Sequence, residues 1–97
     1  MNEKQYVILL DIDVRKRHYH AAHHGKIVKF VVQLEIRTGN NWKEVVRYDC
    51  AHNFTHKDSY NLKGECKKMK LNLNYEDALS FADDDINNNW ELYKEKF

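Results

Sequence analysis

The chain has 97 residues, of which 42% are hydrophobic and 32% charged, and its formal net charge is +1. This size and apolar content predict a single domain, residues 1–97, that buries a core without help from disulfides. The longest apolar run, residues 6–10, has five residues, far fewer than the roughly 18 of a membrane span. We therefore expect no membrane partner. No secretory signal is recognisable. Two cysteines in a chain without such a signal predict a cytoplasmic protein whose thiols are reduced.

Charge is distributed unevenly along the chain. Residues 14–30 hold five basic side chains and no acidic one, whereas residues 71–97 hold seven acids against two lysines. Such a dipolar molecule can present a basic face to an anionic partner such as RNA, although ordinary solvated loops and a solvated helix face are the alternative. The candidate nucleic-acid-binding residues are Arg15, Lys16, Arg17, Lys26 and Lys57.

Several segments have the period of β-strands. Apolar and polar residues alternate over residues 6–14 and again over 27–36, as in half-buried strands. The Thr-Gly-Asn-Asn sequence at 38–41 has turn composition, so residues 42–50 are expected to return as the second strand of a hairpin. The side chains expected on one side of that strand are Trp42, Val46, Tyr48 and Cys50. A turn over 61–64 precedes a weaker strand that carries Met69, Leu71 and Leu73.

The last segment has a helical period, because apolar side chains recur there every three or four residues. They are Tyr75, Leu79, Ala82, Ile86, Trp90, Tyr93 and Phe97. Asn74 suits the N-cap, and the helix dipole favours Glu76 and Asp77 in the first turn. The side chains expected to face solvent are Asp83, Asp84 and Asn87. The predicted fold is therefore α+β, a small antiparallel meander of four to five strands with one C-terminal helix packed on one face.

Residues 47–58 carry the side chains best suited to chemistry. Two histidines beside carboxylates suit proton transfer, and cleavage of RNA by its own 2′-hydroxyl needs a base, an acid and a cation for the phosphate. The candidate catalytic residues are His52, His56, Tyr48, Asp58 and Arg47, with Tyr48 as an alternative proton donor. In a continuous strand His52 and His56 would lie about 13 Å apart, so polar residues at a strand end are the alternative interpretation.

The same region allows a metal interpretation. Cys50, His52, His56 and Cys66 form a ligand set that zinc prefers, but their spacing matches no standard zinc finger. A second candidate is the histidine cluster within residues 18–24, which an exposed basic hairpin tip explains equally well. We therefore expect a fold that needs neither zinc nor another cofactor. Trp42, Tyr48, Trp90 and Tyr93 are expected in the core, whereas Phe54 lies between the two candidate histidines.

Residues 45–58, VVRYDCAHNFTHKD, resemble the signature of the TumE-type toxin proteins of prokaryotic toxin–antitoxin pairs and related small families. That signature is approximately R-Y-D-N-A-H-G followed by H-R-H or H-R-D, between a β-hairpin and a C-terminal helix. The matching residues are Arg47, Tyr48, Asp49, Ala51, His52, His56, Lys57 and Asp58. Cys50 replaces the usual asparagine, Asn53 the usual glycine, and Asp58 a histidine that is common in the toxin-like members.

The resemblance implies a small cytoplasmic toxin-like protein that acts on RNA, as a metal-independent ribonuclease or an RNA binder. Its expected partners are RNA and an antitoxin protein. Separately from the resemblance, a homodimer is a further possible assembly of the chain. Two alternatives from other classes stay open at this point. One is a non-enzymatic protein-interaction module whose histidines organise a loop, and the other is a small zinc-stabilised domain.

Overall fold

The computed structural model describes residues 1–50 and 53–97, which form one antiparallel sheet and one helix. The elements in chain order are β1 (Asn2–Asp11), β2 (Val14–His23), β3 (Lys26–Thr38), β4 (Asn41–Asp49), β5 (Thr55–Tyr60), β6 (Cys66–Leu71) and α1 (Tyr75–Lys96). The strands lie in the sheet in the order of the chain, so every connection joins neighbouring strands. The predicted α+β class, with an antiparallel meander and a C-terminal helix, is confirmed.

The sheet has six strands, more than the four to five predicted. The stretch predicted as one strand at residues 6–14 is interrupted by a turn at Ile12 and Asp13, and Val14 already belongs to β2. β2 and β5 are not predicted from the sequence, because both strands are rich in histidine and charged residues. Their polar side chains hide the period of two, although both strands pair with neighbours on both sides.

The helix covers one face of the sheet, which we call the helix face. Its fully buried residues Ala78, Ala82 and Ile86 pack against apolar side chains from the central strands. Those side chains are Val14, Phe30, Val32, Leu34, Ile36, Val45, Val46 and Tyr48. The predicted cap is confirmed, because the Asn74 side chain accepts a hydrogen bond of 2.8 Å from the backbone N–H of Asp77. The opposite side of the sheet, which the helix does not cover, is called the open face.

A β-bulge in β4 changes which side chains share a face. The partner of Leu34 is Val46, but the partner of Glu35 is Glu44, so Val45 is an extra residue in the ladder. Residues before the bulge therefore point to the opposite side from the alternation expected over 42–50. Trp42 accordingly lies away from Tyr48, and the guanidinium of Arg15 stacks 4.1 Å from the centre of its ring.

Two further expectations concern the helix. Asp84 is exposed as predicted, whereas Asp83 bonds to Lys16 and His18 of β2. Asp83 therefore connects α1 to the sheet instead of facing only solvent. In the described part of the chain, no helix is both long and apolar enough to cross a membrane.

Candidate functional site

A row of polar side chains crosses the open face from β2 to β6, and we call it the open-face row. Its members in spatial order are Arg15, Glu35, Gln33, Arg47, Asp49, His56, Asp58 and Lys68. The register of β4 and β5 creates its centre, because Arg47 pairs with Asp58 and Asp49 pairs with His56. Directly opposed residues of antiparallel strands lie on the same face with their side chains in reach of each other.

His56 stands at the centre of this row between two carboxylates. Its Nε2 lies 2.7 Å from Oδ1 of Asp49, and its Nδ1 lies 3.5 Å from Oδ1 of Asp58. His56 and Asp49 are each 9% exposed, and Asp58 is 4% exposed. The ring is thus held from both sides in a largely dry environment.

These contacts do not satisfy every polar atom. Asp49 Oδ1, His56 Nδ1 and Asp58 Oδ1 are buried without a well-directed hydrogen bond from any described residue. The two histidine contacts are therefore close polar contacts whose direction is poor for hydrogen bonding. Buried polar atoms left in this state are rare and costly in folded proteins, and they concentrate where a ligand or a reaction uses them.

The half of the row on β2, β3 and β4 fixes the position of Asp49. Arg47 donates from Nε to Asp49 at 2.9 Å and from Nη1 to the side-chain oxygen of Gln33 at 3.0 Å. Gln33 in turn donates to Glu35, which also binds the guanidinium of Arg15. A chain of bonds therefore continues from β2 to Asp49 and orients the carboxylate that contacts His56.

The half of the row on β5 and β6 opens into a cavity of about 360 Å³. Its lining residues are Asp49, Phe54, His56, Asp58, Lys68, Met69 and Lys70. The ammonium of Lys68 lies 3.7 Å from Asp58, and that of Lys70 lies 5.2 Å from the centre of the Phe54 ring. The cavity thus combines a histidine, two lysines and an aromatic ring.

The residue before Phe54 has a backbone conformation that is rare for residues other than glycine. Asn53 has a φ of 67°, in the left-handed region that glycine adopts freely and asparagine tolerates. The replacement of the usual glycine by Asn53 is therefore compatible with a tight turn into β5. This turn places Phe54 with its ring centre 5.7 Å from that of His56.

Not all sequence-predicted catalytic residues meet at the cavity. His56, Asp58 and Arg47 do belong to the open-face row, whereas His52 lies outside the described residues. Tyr48 lies on the helix face, where its hydroxyl donates a hydrogen bond of 2.5 Å to Asp85. Burial and this bond raise the pKa of Tyr48 well above its usual range, which makes it a poor proton donor near neutral pH.

The predicted nucleic-acid-binding residues are divided between the two faces. Arg15 and Arg17 lie on the open face near Glu35, and Lys26 is exposed at the start of β3. Lys16 is 3% exposed and bonds to Asp83 and Asn87 of the helix. Lys57 donates a hydrogen bond of 2.7 Å to the hydroxyl of Tyr93, also on the helix face. Only part of the predicted basic set therefore shares a face with His56.

Sequence reasoning did not single out Lys68 and Lys70 as site residues. They pair with Asp58 and His56 across the β5–β6 ladder. The signal was their spacing of two along a strand, which puts both on one face. This spacing points to the site only once β5 is known to be a strand, because the pairing of β6 with β5 is what brings the two lysines close to His56.

The candidate metal ligands are dispersed. Cys50 follows β4 and lies next to β3, where its thiol is 3.4 Å from the backbone nitrogen of Phe30. Cys66 pairs with Tyr60. Tyr60 is four positions along β5 from His56, so these two strand positions are about 13 Å apart. The described residues contain no group of three or more histidine, cysteine or carboxylate ligands placed for a metal ion.

The family comparison matches the whole chain. A family model described as "Domain of unknown function (DUF7718)" matches residues 1–97, so the chain belongs to this family. No curated protein and no solved structure matches the chain.

Proposed function

We propose that this chain is a TumE-like module of the cytosol that binds RNA on its open face and cleaves it at His56. The observation that carries the proposal is a histidine held between two carboxylates at the edge of a cavity that also contains two lysines and an aromatic ring. Cleavage of an RNA strand requires proton transfer and phosphate binding, and base stacking contributes to holding the strand in place.

The proposed reaction uses the 2′-hydroxyl of RNA as its nucleophile. The 2′-oxygen attacks the adjacent phosphorus, the bond from phosphorus to the 5′-oxygen breaks, and a 2′,3′-cyclic phosphate and a 5′-hydroxyl result. One proton leaves the 2′-oxygen and one reaches the 5′-oxygen. His56 carries one of these protons, and the Asp49 carboxylate, 2.7 Å from its Nε2, restricts the position of the ring.

The atom of His56 that meets RNA is Nδ1 in this proposal. Its other nitrogen, Nε2, is occupied by Asp49, 2.7 Å away. Nδ1 is shielded by Asp58, whose second oxygen contacts Lys68 at 3.7 Å. An RNA phosphate that pairs with Lys68 would compete for this contact and free Asp58 to move, and catalytic contacts often tighten only when substrate binds.

The net charge of the open face favours an anionic ligand. Five cationic side chains lie on or beside the row, against four acidic ones. The cations are Arg15, Arg17, Arg47, Lys68 and Lys70, and the acids are Glu35, Glu44, Asp49 and Asp58. Phe54 is 41% exposed and can offer a ring to a base, since stacking on aromatic side chains tolerates any base.

The decisive variant is His56→Gln, which keeps a polar side chain of similar size but cannot transfer a proton at neutral pH. We expect cleavage of a labelled RNA oligonucleotide to fall by about 10²- to 10⁴-fold, while RNA affinity changes little. His23→Gln is the matched control, because His23 is exposed at the end of β2. Cleavage by His56→Gln at the rate of the wild type would contradict the catalytic role.

The proposed partner is an antitoxin protein encoded beside the gene. Expression of the wild-type chain is expected to slow growth, and co-expression of the neighbouring gene product is expected to restore it. His56→Gln should not slow growth at equal protein level. If the wild type has no effect on growth and binds no RNA at low salt, the non-enzymatic interaction module becomes the better interpretation.

A further inference from the structure

One edge of the sheet is built differently from the other. β1 is an edge strand, and no described residue pairs with its outer side. Its central residues, 6–10, are Tyr-Val-Ile-Leu-Leu and carry no charge. Val7, Ile8 and Leu9 are 48%, 44% and 67% exposed. An unpaired strand with these properties is a template for pairing with another strand.

The other edge strand has the opposite character. β6 has the sequence Cys-Lys-Lys-Met-Lys-Leu, with three lysines among six residues. Lysines on an edge prevent pairing, because two such strands would repel each other and lose the hydration of their charges. The lysines also disfavour joining β6 of one copy to β1 of the next, which would produce an open filament. Only the β1 edge is therefore suited to closed association.

We propose that β1 pairs antiparallel with β1 of a second copy of this chain, so that the two sheets form one continuous sheet. A two-fold axis perpendicular to the sheet relates the copies, which is the common symmetry of soluble dimers. This arrangement keeps both helices on one side and both open faces on the other. It does not involve the cavity at His56, so it stands independently of the RNA proposal.

The sequence of β1 favours one register. With Ile8 opposite the partner's Ile8, Val7 lies opposite the partner's Leu9 on the open face. Tyr6 then lies opposite the partner's Leu10 on the helix face. Every pair in this segment is apolar, and such cross-strand pairs contribute roughly 0.2–1 kcal/mol each relative to alanine pairs.

Neighbouring registers are worse for physical reasons. A shift by two residues in one direction places the polar Gln5 opposite the partner's Leu9 and loses one of the apolar pairs. The shift by two in the other direction moves the axis to Leu9, next to the bulge between Leu9 and Asp11, and leaves fewer regular residues to pair. A shift by one residue is excluded, because it would match side chains that point to different faces.

The interface is small, which sets the expected behaviour in solution. One strand per copy contributes, and a bulge between Leu9 and Asp11 ends its regular part. Interfaces below about 1,200 Å² belong to the weaker class. We therefore expect a dimer whose population depends on protein concentration, present at about 100 µM and dissociating on dilution.

The first test compares two lysine variants of the full chain by light scattering during gel filtration. Ile8→Lys places two positive charges opposite each other at the axis, so we expect dimer affinity to fall by at least about tenfold. Leu92→Lys is the control, because Leu92 is 49% exposed on the helix and the charge change is identical. The proposal is overturned if the wild type is monomeric at about 100 µM, or if Ile8→Lys dimerises like the wild type.

The second test measures the register itself and does not depend on a destabilised variant. It uses Cys66→Ser as background, because Cys66 is an exposed native thiol. Ile8→Cys should form a covalent dimer on mild oxidation, since directly opposed residues have Cα atoms within the range of a disulfide. Val7→Cys should cross-link much less, because residue 7 of the second copy lies diagonally across the strand pair and not directly opposite. Equal cross-linking of both variants, or none, would contradict the proposed register.

Discussion

At the scale of single residues, Asp85 of α1 binds Tyr48 of the sheet and Tyr93 of its own helix. Its Oδ2 accepts hydrogen bonds from Tyr48 at 2.5 Å and from Tyr93 at 2.6 Å. Lys57 completes the group by donating to Tyr93. Burial alone would raise the pKa of Asp85, but the bonds from Tyr48, Tyr93 and Asn89 outweigh it and hold the pKa below its ordinary value.

This lowered pKa gives a prediction for acid stability. A carboxylate with a depressed pKa in the folded state stabilises the fold above its unfolded pKa of about 3.9 and loses that contribution as the pH falls further. Asp85→Asn should therefore be less stable than the wild type by about 1–3 kcal/mol at pH 6, and this difference should shrink below about pH 4.

The measurement is urea denaturation of both proteins across that pH range. Asp84→Asn is the control, because Asp84 is the preceding residue and is exposed. It should follow the wild type at every pH. A difference between wild type and Asp85→Asn that stays constant or grows on acidification would exclude the proposed role of the Asp85 charge.

The lysines of the cavity give a residue-scale prediction about RNA affinity. Lys68 and Lys70 lie beside Asp58 and His56 across the β5–β6 ladder, so both should contact phosphate groups. Each phosphate contact releases counterions, and the logarithm of affinity therefore depends on the logarithm of salt concentration. The double variant Lys68→Ala, Lys70→Ala should bind RNA more weakly and flatten this slope by about 1–2.

The control for this experiment is Lys63→Ala together with Lys96→Ala. Lys63 is exposed in the β5–β6 turn and Lys96 ends α1, so the net charge changes equally without touching the cavity. Filter binding or fluorescence anisotropy at several salt concentrations gives the slopes. Equal slopes for the two double variants would mean that the open face does not hold the phosphates.

At the scale of elements, the helix was the easiest to predict and the polar strands the hardest. The apolar stripe of α1 recurs with helical period, and its buried members face the sheet as expected. β5 contains Thr, His, Lys, Asp, Ser and Tyr, and no apolar alternation marks it as a strand. Its position depends on pairing with β4 and β6, its neighbours in the sheet. Such pairing outweighs local propensity.

The stability of the helix-on-sheet packing can be tested with a buried and an exposed apolar residue of α1. Ile86 is 0% exposed, so Ile86→Ala should lower the free energy of unfolding by about 2–5 kcal/mol through lost burial and a cavity. Leu92 is 49% exposed, so Leu92→Ala should cost about 1 kcal/mol or less. Chemical denaturation measures both values, and similar losses would contradict the orientation of the helix.

At the scale of the whole molecule, the two faces of the sheet divide the polar residues into two groups with different roles. On the helix face, Lys16 and Lys57 bind acidic and hydroxyl groups of α1, and they connect the layers. On the open face, Asp49, His56 and Lys68 line a cavity to which no helical residue contributes in the described part of the chain. The charge asymmetry seen along the chain predicted a basic surface but not this separation.

The candidate site was therefore only partly predictable. Arg47, His56 and Asp58 were identified by residue type and motif, because proton carriers and a cation within twelve residues are a local signal. The separation of Tyr48 from them follows from strand alternation, since neighbouring residues of β4 point to opposite faces. The contribution of Lys68 and of Gln33 depends on a register that local sequence does not determine.

The most direct test of the central claim is to map where RNA contacts the molecule. A short 2′-O-methyl RNA cannot be cleaved through its 2′-hydroxyl, so it can be titrated into isotope-labelled protein while amide NMR signals are recorded. We predict that the shifted signals belong to the open face around Arg47, Asp49, His56, Lys68 and Lys70, and that the outer side of α1 is unaffected. Shifts centred on α1, or no shifts at low salt, would contradict an RNA site at His56.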